Sequence, residues 1–200
     1  MESGLIVVIS GPSGVGKGTL CHKISEHLPE LEVSISATTR APRRGEEEGK
    51  SYFFLTEREF KQKINEDFFL EWARLYDDYY GTPAAPVKDI VDQGKDILLE
   101  LDVQGAMQVK KNIPGAVFIF IAPPSMKELQ RRITGRGTEK PEHIRKRMEI
   151  ALKELKMYRD YDYLVINNNL EEAVLNIKAV IMAEKCKVGR HAGIWLKQEE

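Results

Sequence analysis

The sequence predicts an α/β fold with a central parallel sheet and helices on both of its faces. Three observations carry that reading. Short β-branched apolar runs alternate with stretches of helical period along most of the chain. A glycine-rich turn ending in lysine joins the first run to the first helix. The segment 34–83 breaks the alternation and reads as an α+β insertion.

The runs at 5–10 (LIVVIS), 97–102 (ILLELD), 116–121 (AVFIFI) and 163–166 (YLVI) are apolar at nearly every position, odd and even. A strand covered on both faces needs that pattern, because successive side chains point to opposite sides. Helices are predicted between and after them over 18–28, 103–111, 126–134, 141–158 and 170–188, with Pro141 in a first turn where its missing N–H is harmless. Within the insertion, strand-like pieces (VSIS, YFFL, FLEWARLY) surround one helix predicted over 57–64. The charged, glycine-containing stretch 135–141 predicts a mobile loop. The tail 189–200 has no clear period, although it carries Ile194, Trp195 and Leu196.

With 200 residues the chain is the size of one domain with appended pieces, large enough to fold without a structural metal or disulfides. A formal net charge of −1 gives the whole chain no polyanion-binding character, so no nucleic-acid partner is expected. The apolar run at 5–9 is far too short to span a bilayer, so no membrane role is expected either. No secretory pattern opens the chain, and its two cysteines, Cys21 and Cys186, match no metal-ligand spacing. The expected location is the cytoplasm. The four histidines show neither metal spacing nor a nucleophile partner and are read as bystanders. Phe53, Phe54, Phe68 and Phe69 are read as core.

Gly11-Pro12-Ser13-Gly14-Val15-Gly16-Lys17 fits G-x-x-x-x-G-K, between a buried strand and a helix. The glycines let successive backbone N–H groups turn into one concavity. That nest and the helix N-terminus favour a polyphosphate, with Lys17 as a point charge on its outer phosphates. This predicts a P-loop three-layer fold that binds a nucleoside triphosphate through Gly11, Pro12, Ser13, Gly14, Val15, Gly16, Lys17, Gly18 and Thr19. Gly18 stands where Ser or Thr is usual, and the hydroxyl comes one residue later at Thr19. Mg²⁺ is therefore expected to be held mainly by phosphates and water. Thr19 and Asp102 are the candidates for contact with it through water. Asp102, ending the run 97–102, is expected in the same crevice at the carboxyl end of its strand; capping the next helix is the competing reading.

On the acceptor side, 38–46 reads T-T-R-x-P-R-x-G-E, 49–54 G-K-x-Y-x-F, 69–73 F-x-E-W-A and 79–82 Y-Y-G-T. With V-Q-G after Asp102, I-A-P-P-S at 121–125 and G-R-G-T-E at 135–139, these run in order from about residue 5 to about 185. In this the chain resembles the guanylate kinase family. The resemblance implies transfer of the γ-phosphoryl group of ATP to GMP, and to dGMP, with Mg²⁺. It also implies a core of about 4–33, 84–125 and 160–188, a GMP-binding insertion of about 34–83, a mobile helical lid of about 126–158 and a tail, 189–200. Arg40, Arg43, Tyr52 and Tyr80 match residues that hold the GMP phosphate. Ser36, Glu71, Thr82 and Asp102 match those that address guanine. Arg136 and Arg147 match two lid arginines that join Lys17 in catalysis. Arg131, Arg132 and Arg145 are read as solvated or as touching adenine or ribose, and 167–169 (NNN) lies near the expected adenine edge. The chemistry at Glu71 agrees: a carboxylate accepts from the N1–H and exocyclic amine of guanine, whereas adenine offers no N1–H. Two other readings stay open, a phosphopeptide-binding module on the same scaffold and a kinase for a different monophosphate. The oligomeric state is not legible in the sequence.

Overall fold

A computed structural model of the chain describes residues 3–75, 77–135 and 141–190. The first apolar run forms β1 (Ile6–Ser10), buried along its whole length. It leads through the glycine-rich turn into α1 (Lys17–His27). β1 lies between two parallel neighbours, β7 (Ile97–Glu100) and β8 (Val117–Ala122). β2 (Glu32–Val33) adds beyond β7, and β9 (Tyr163–Ile166) beyond β8. The order is β2-β7-β1-β8-β9, all parallel, as the sequence predicts.

The alternation along these strands sorts side chains into two cores. Val7, Ile9, Leu98, Val117, Ile119 and Ile121 pack with α1, α5 (Met126–Thr134) and α7 (Leu170–Lys185) on one face. Ile6, Val8, Ile97, Leu99 and Phe118 pack on the other with α3 (Ala84–Asp92) and α4 (Val103–Asn112). Each such side chain taken fully out of water contributes about 1.5–3 kcal/mol, and the glycine turn stands on this packed floor. Among the described residues no helix is long and apolar enough to cross a membrane.

The insertion folds on a second sheet. β3 (Ala37–Thr38) pairs in parallel with β4 (Phe53–Phe54) and antiparallel with β6 (Asp78–Pro83). β6 also pairs antiparallel with β5 (Phe69–Leu75), whose register shifts between Phe69 and Glu71. α2 (Glu57–Asn65) covers this sheet and opens on a capping box between Thr56 and Glu59. α6 (Pro141–Leu155) continues into a 3-10 turn at Lys156–Asp160.

Several expectations need correction. The helix α3 is not among the elements expected from the sequence. Pro83 is the N-cap and Pro86 falls in the first turn, where no intrahelical bond is lost. The strand-like VSIS divides: Val33 ends β2 in the main sheet, and Ala37 begins β3 in the second. The strand at 97–102 stops at Glu100, and Asp102 turns to cap α4, accepting from the Gly105 N–H at 2.7 Å. Phe53, Phe54, Phe68 and Phe69 are only half-buried; the sealed aromatic of the insertion is Phe60, stacked on Phe69. Residues 136–140 of the expected loop, and Ile194, Trp195 and Leu196 of the tail, lie outside the described residues.

Candidate active site

The turn 11–16 follows β1 at the carboxyl end of the parallel sheet. Gly16 is the N-cap of α1 in the left-handed region, at φ 91°, where a side chain would be strained. The helices α2, α4, α5 and α7 begin on side chains that accept their first N–H groups: Thr56, Asp102, Ser125 and Asn169. Among the described residues no side chain caps α1, so its first amides remain open toward the loop. Lys17 Nζ folds back on the loop, donating to the Gly11 carbonyl at 2.6 Å. The underside of the turn is held from β9 and α5. Asn167 Nδ2 donates to Val15 O at 2.8 Å, and Arg132 Nη2 to Asn167 O at 3.0 Å. Arg132 also pairs with Glu128 and so props up the loop's support.

This turn forms one end of a cavity of about 550 Å³ whose opposite end is the insertion. Of the residues singled out from the sequence, Gly11, Ser13, Lys17, Ser36, Tyr52, Glu71, Tyr80 and Asp102 line it. Arg147, on α6, reaches the turn itself and donates to Ser13 Oγ at 2.8 Å. Arg40 stands beside the cavity with its guanidinium 5.4 Å from the centre of the Tyr52 ring. Its two terminal nitrogens grip Glu46 at 2.8 and 3.0 Å, and Arg40 holds the Glu46 carboxyl below its ordinary range. Glu46 also accepts the Arg43 N–H at 2.7 Å, closing the turn that carries both arginines; the Arg43 side chain is exposed. Tyr52 and Tyr80 meet edge to face, with centroids 6.2 Å apart.

Glu71 is 6 % exposed, on β5 opposite Thr82 of β6. Burial lifts its pKa to about 7, against the pull of its Thr82 hydrogen bonds, and nearby Asp102 pushes in the same upward direction. A close approach makes room for it: a Cβ on Gly105 of α4 would lie 2.3 Å from Glu71 Oε2. Thr82 is fully buried and its hydroxyl is spent on Glu71, so it stands behind the carboxylate and not at the cavity wall.

Around Lys17 lie three carboxyls: Glu100, Asp102 and Glu154. Desolvation raises all three above their ordinary values, and Lys17 opposes it in each. Glu100 is the acid over the start of α1, with both oxygens 3.6 Å from where a Gly18 side chain would begin. The sequence does not single out Glu154, nor Ser34, whose buried hydroxyl has no partner among the described residues, and Glu46 enters there only as the end of the 38–46 motif. The i, i+6 spacing of Arg40 and Glu46 was the one local signal. Arg136 lies outside the described residues.

The family model for guanylate kinase matches residues 3–184. The chain belongs to the guanylate kinase family. It is 53 % identical to a guanylate kinase of Caldanaerobacter subterraneus subsp. tengcongensis, over 100 % of this chain and 97 % of that one. It is 50 % identical to a guanylate kinase of Halalkalibacterium halodurans over 93 % of this chain and 91 % of the other. Among solved structures, the guanylate kinase from Anaplasma phagocytophilum superposes with a TM-score of 0.83 at 34 % identity, covering 100 % of this chain and 95 % of that one. The sheet order and the insertion therefore sit in a family frame that spans nearly the whole chain.

Proposed function

We propose that this chain transfers the γ-phosphoryl group of ATP to GMP, giving ADP and GDP, with dGMP as a second acceptor. The single observation that carries the reading is one cavity with a phosphate cradle at one end and a buried carboxylate, Glu71, at the other. A scaffold that only bound phosphopeptides would need neither Lys17 nor Arg147 at the cradle.

In this reading the turn 11–19 holds the triphosphate, its amides and Lys17 facing the outer phosphates. Arg40, Arg43, Tyr52 and Tyr80 take the acceptor's phosphate, for which Arg40 must share its guanidinium with Glu46 or release it. Ser36, Glu71 and Asp102 face guanine, with Thr82 orienting Glu71. Arg147, and Arg136 by its place in the family motif, neutralise charge on the group in flight. The nucleophile is a phosphate oxygen that is already anionic near neutral pH, so no general base is needed. Catalysis then rests on alignment and fixed charge. Closure of the lid, about 126–158, over the insertion, about 34–83, keeps water from competing, while about 4–33, 84–125 and 160–188 stay as the frame.

A divalent metal goes with a kinase family, and we infer Mg²⁺. The donors at hand fit a cation whose shell is mostly phosphate and water: Glu100 and Asp102 stand near Lys17, and Gly18 offers no hydroxyl. Bound there, it would supply charge neutralisation on the phosphates, with Asp102 and Thr19 the residues that could reach it through water. The cytoplasm is the location we infer, supported by Cys21 and Cys186, both free thiols.

The test is an ADP-release assay with ATP and Mg²⁺, comparing GMP, dGMP, AMP, UMP and CMP. Turnover that depends on the guanine nucleotides supports both half-sites. Turnover with a different base would leave the cradle and overturn the reading of Glu71, and no turnover with any acceptor would overturn both.

A further inference from the structure

The helix α6 presents Arg147, Ile150 and Glu154 on one face, at the three- and four-residue spacing that aligns side chains along a helix. Ile150 and Glu154 line the cavity, and Arg147 binds Ser13 Oγ. The backbone N–H of Ser13 faces the Glu154 carboxyl, so α6 engages the same residue of the cradle through its side chain and through its backbone. Glu154 Oε2 is sealed from water and, among the described residues, has no hydrogen-bond partner. Lys17 lies close enough to attract this carboxyl and Asp102 close enough to repel it. A half-satisfied buried carboxylate is costly, and here burial and Asp102 raise its pKa; what offsets that cost is Lys17 and the Ser13 N–H of the phosphate cradle.

We propose that Glu154 competes with the triphosphate for the cradle's lysine and amides, a positioning residue that the triphosphate displaces, so that ATP entry and the release of α6 from Ser13 are one event. The inference rests on the reading of the turn 11–19 as the ATP site. Two anions cannot share the cradle mouth, so binding ATP must overcome whatever holds Glu154 there. Once freed, α6 carries Arg147 with it, which gives the lid helix a way to respond to cradle occupancy.

The test is calorimetric binding of Mg·ATP, without acceptor, to the full chain and to Glu154→Gln and Glu154→Ala, with GMP binding measured alongside. Both variants should bind ATP about tenfold more tightly, the size of a typical coupling between sites, with GMP affinity unchanged. The isosteric Gln variant removes the charge and keeps the shape, so it decides the matter if the Ala variant fails to fold. A Gln variant with normal melting temperature and unchanged or weaker ATP affinity overturns the proposal. If the wild-type chain binds no ATP, the cradle reading falls and this inference with it. If wild type and variants bind ATP alike, the inference alone falls.

Discussion

Glu71 Oε1 accepts both hydrogen bonds that Thr82 can give, the backbone N–H at 3.0 Å and the hydroxyl at 2.7 Å. The other oxygen, Oε2, faces Gly105. Thr82 thereby fixes the rotamer of a carboxyl that is poised near neutrality, at about 7. Only the ionised form accepts from both guanine donors. Lowering the pH below 7 should therefore weaken GMP binding by about tenfold per unit. Glu71→Gln should be flat in this respect and should lower the preference for GMP over AMP by at least about 10²-fold. GMP has its own titrating phosphate, so the measurement is the ratio of wild-type to variant GMP affinity between about pH 5.5 and 8.5, a window that brackets the shifted carboxyl. A ratio independent of pH removes Glu71 from the guanine site.

The same carboxyl affects stability, with the opposite pH trend. Its folded pKa, about 7, lies above the ordinary 4.5. The folded state thus binds more protons between those values, and stability falls as pH rises through that window. The loss is complete above 7 and amounts to about 3 kcal/mol. Glu71→Gln should melt several degrees higher than wild type at about pH 8, relative to their difference at about pH 4.5. Thermal melts at the two pH values check this, and equal differences would mean that the carboxyl is not strained by burial. A larger advantage for the variant at the higher pH would mean that guanine recognition comes at the expense of fold stability at physiological pH.

Gly105→Ala separates helix propensity from close packing. In an exposed helix interior the change stabilises by about 1 kcal/mol. At Gly105 the new Cβ would lie 2.3 Å from Glu71 Oε2, and Glu71 is pinned by Thr82 and cannot swing away freely. We expect a net destabilisation of about 1–3 kcal/mol and a raised KM for GMP with the KM for ATP unchanged. Urea unfolding and steady-state kinetics decide it. A stabilised variant with normal GMP kinetics would show that Glu71 has more room than the geometry allows.

Lys17→Ala removes a cation that bonds the cradle's own backbone, at Gly11 O. Turnover should fall by on the order of 10²–10³ or more, as for other preorganised transition-state donors. GMP binding should survive, because the insertion supplies that half of the cavity. Calorimetry with GMP and single-turnover kinetics check the two halves separately, and turnover close to wild type would overturn the assignment of the cradle.

The parts of this molecule legible in the sequence are those whose cause is local. β1, the glycine turn and α1 are written in consecutive residues: an apolar run, a glycine-lysine spacing and a change of period. What escapes is set by distant partners. Glu154 gains its meaning from Ser13, across most of the chain, and Thr82 from a cross-strand register that shifts beside Glu71. The helix α3 escapes for a different reason. Its segment is short and holds two prolines, and what makes it a helix is Val87 packing against Ile97 and Leu99 of β7.

Gly18 gives the last expectation. Its position in the first turn of α1 is open, with the Glu100 oxygens 3.6 Å from where an added Cβ would stand, an ordinary contact distance. Serine therefore fits without strain, and replacing glycine in a helix stabilises by roughly 0.5 kcal/mol. The new hydroxyl would lie within reach of Glu100, and it would offer a bound divalent cation an oxygen donor at the start of α1. Gly18→Ser should thus raise the melting temperature slightly and lower the Mg²⁺ concentration needed for half-maximal turnover, with the KM for GMP unchanged. A magnesium titration of turnover reads this directly. An unaltered titration in a stabilised variant would mean that the metal stands clear of α1, held by phosphate, water and the acids at the end of β7.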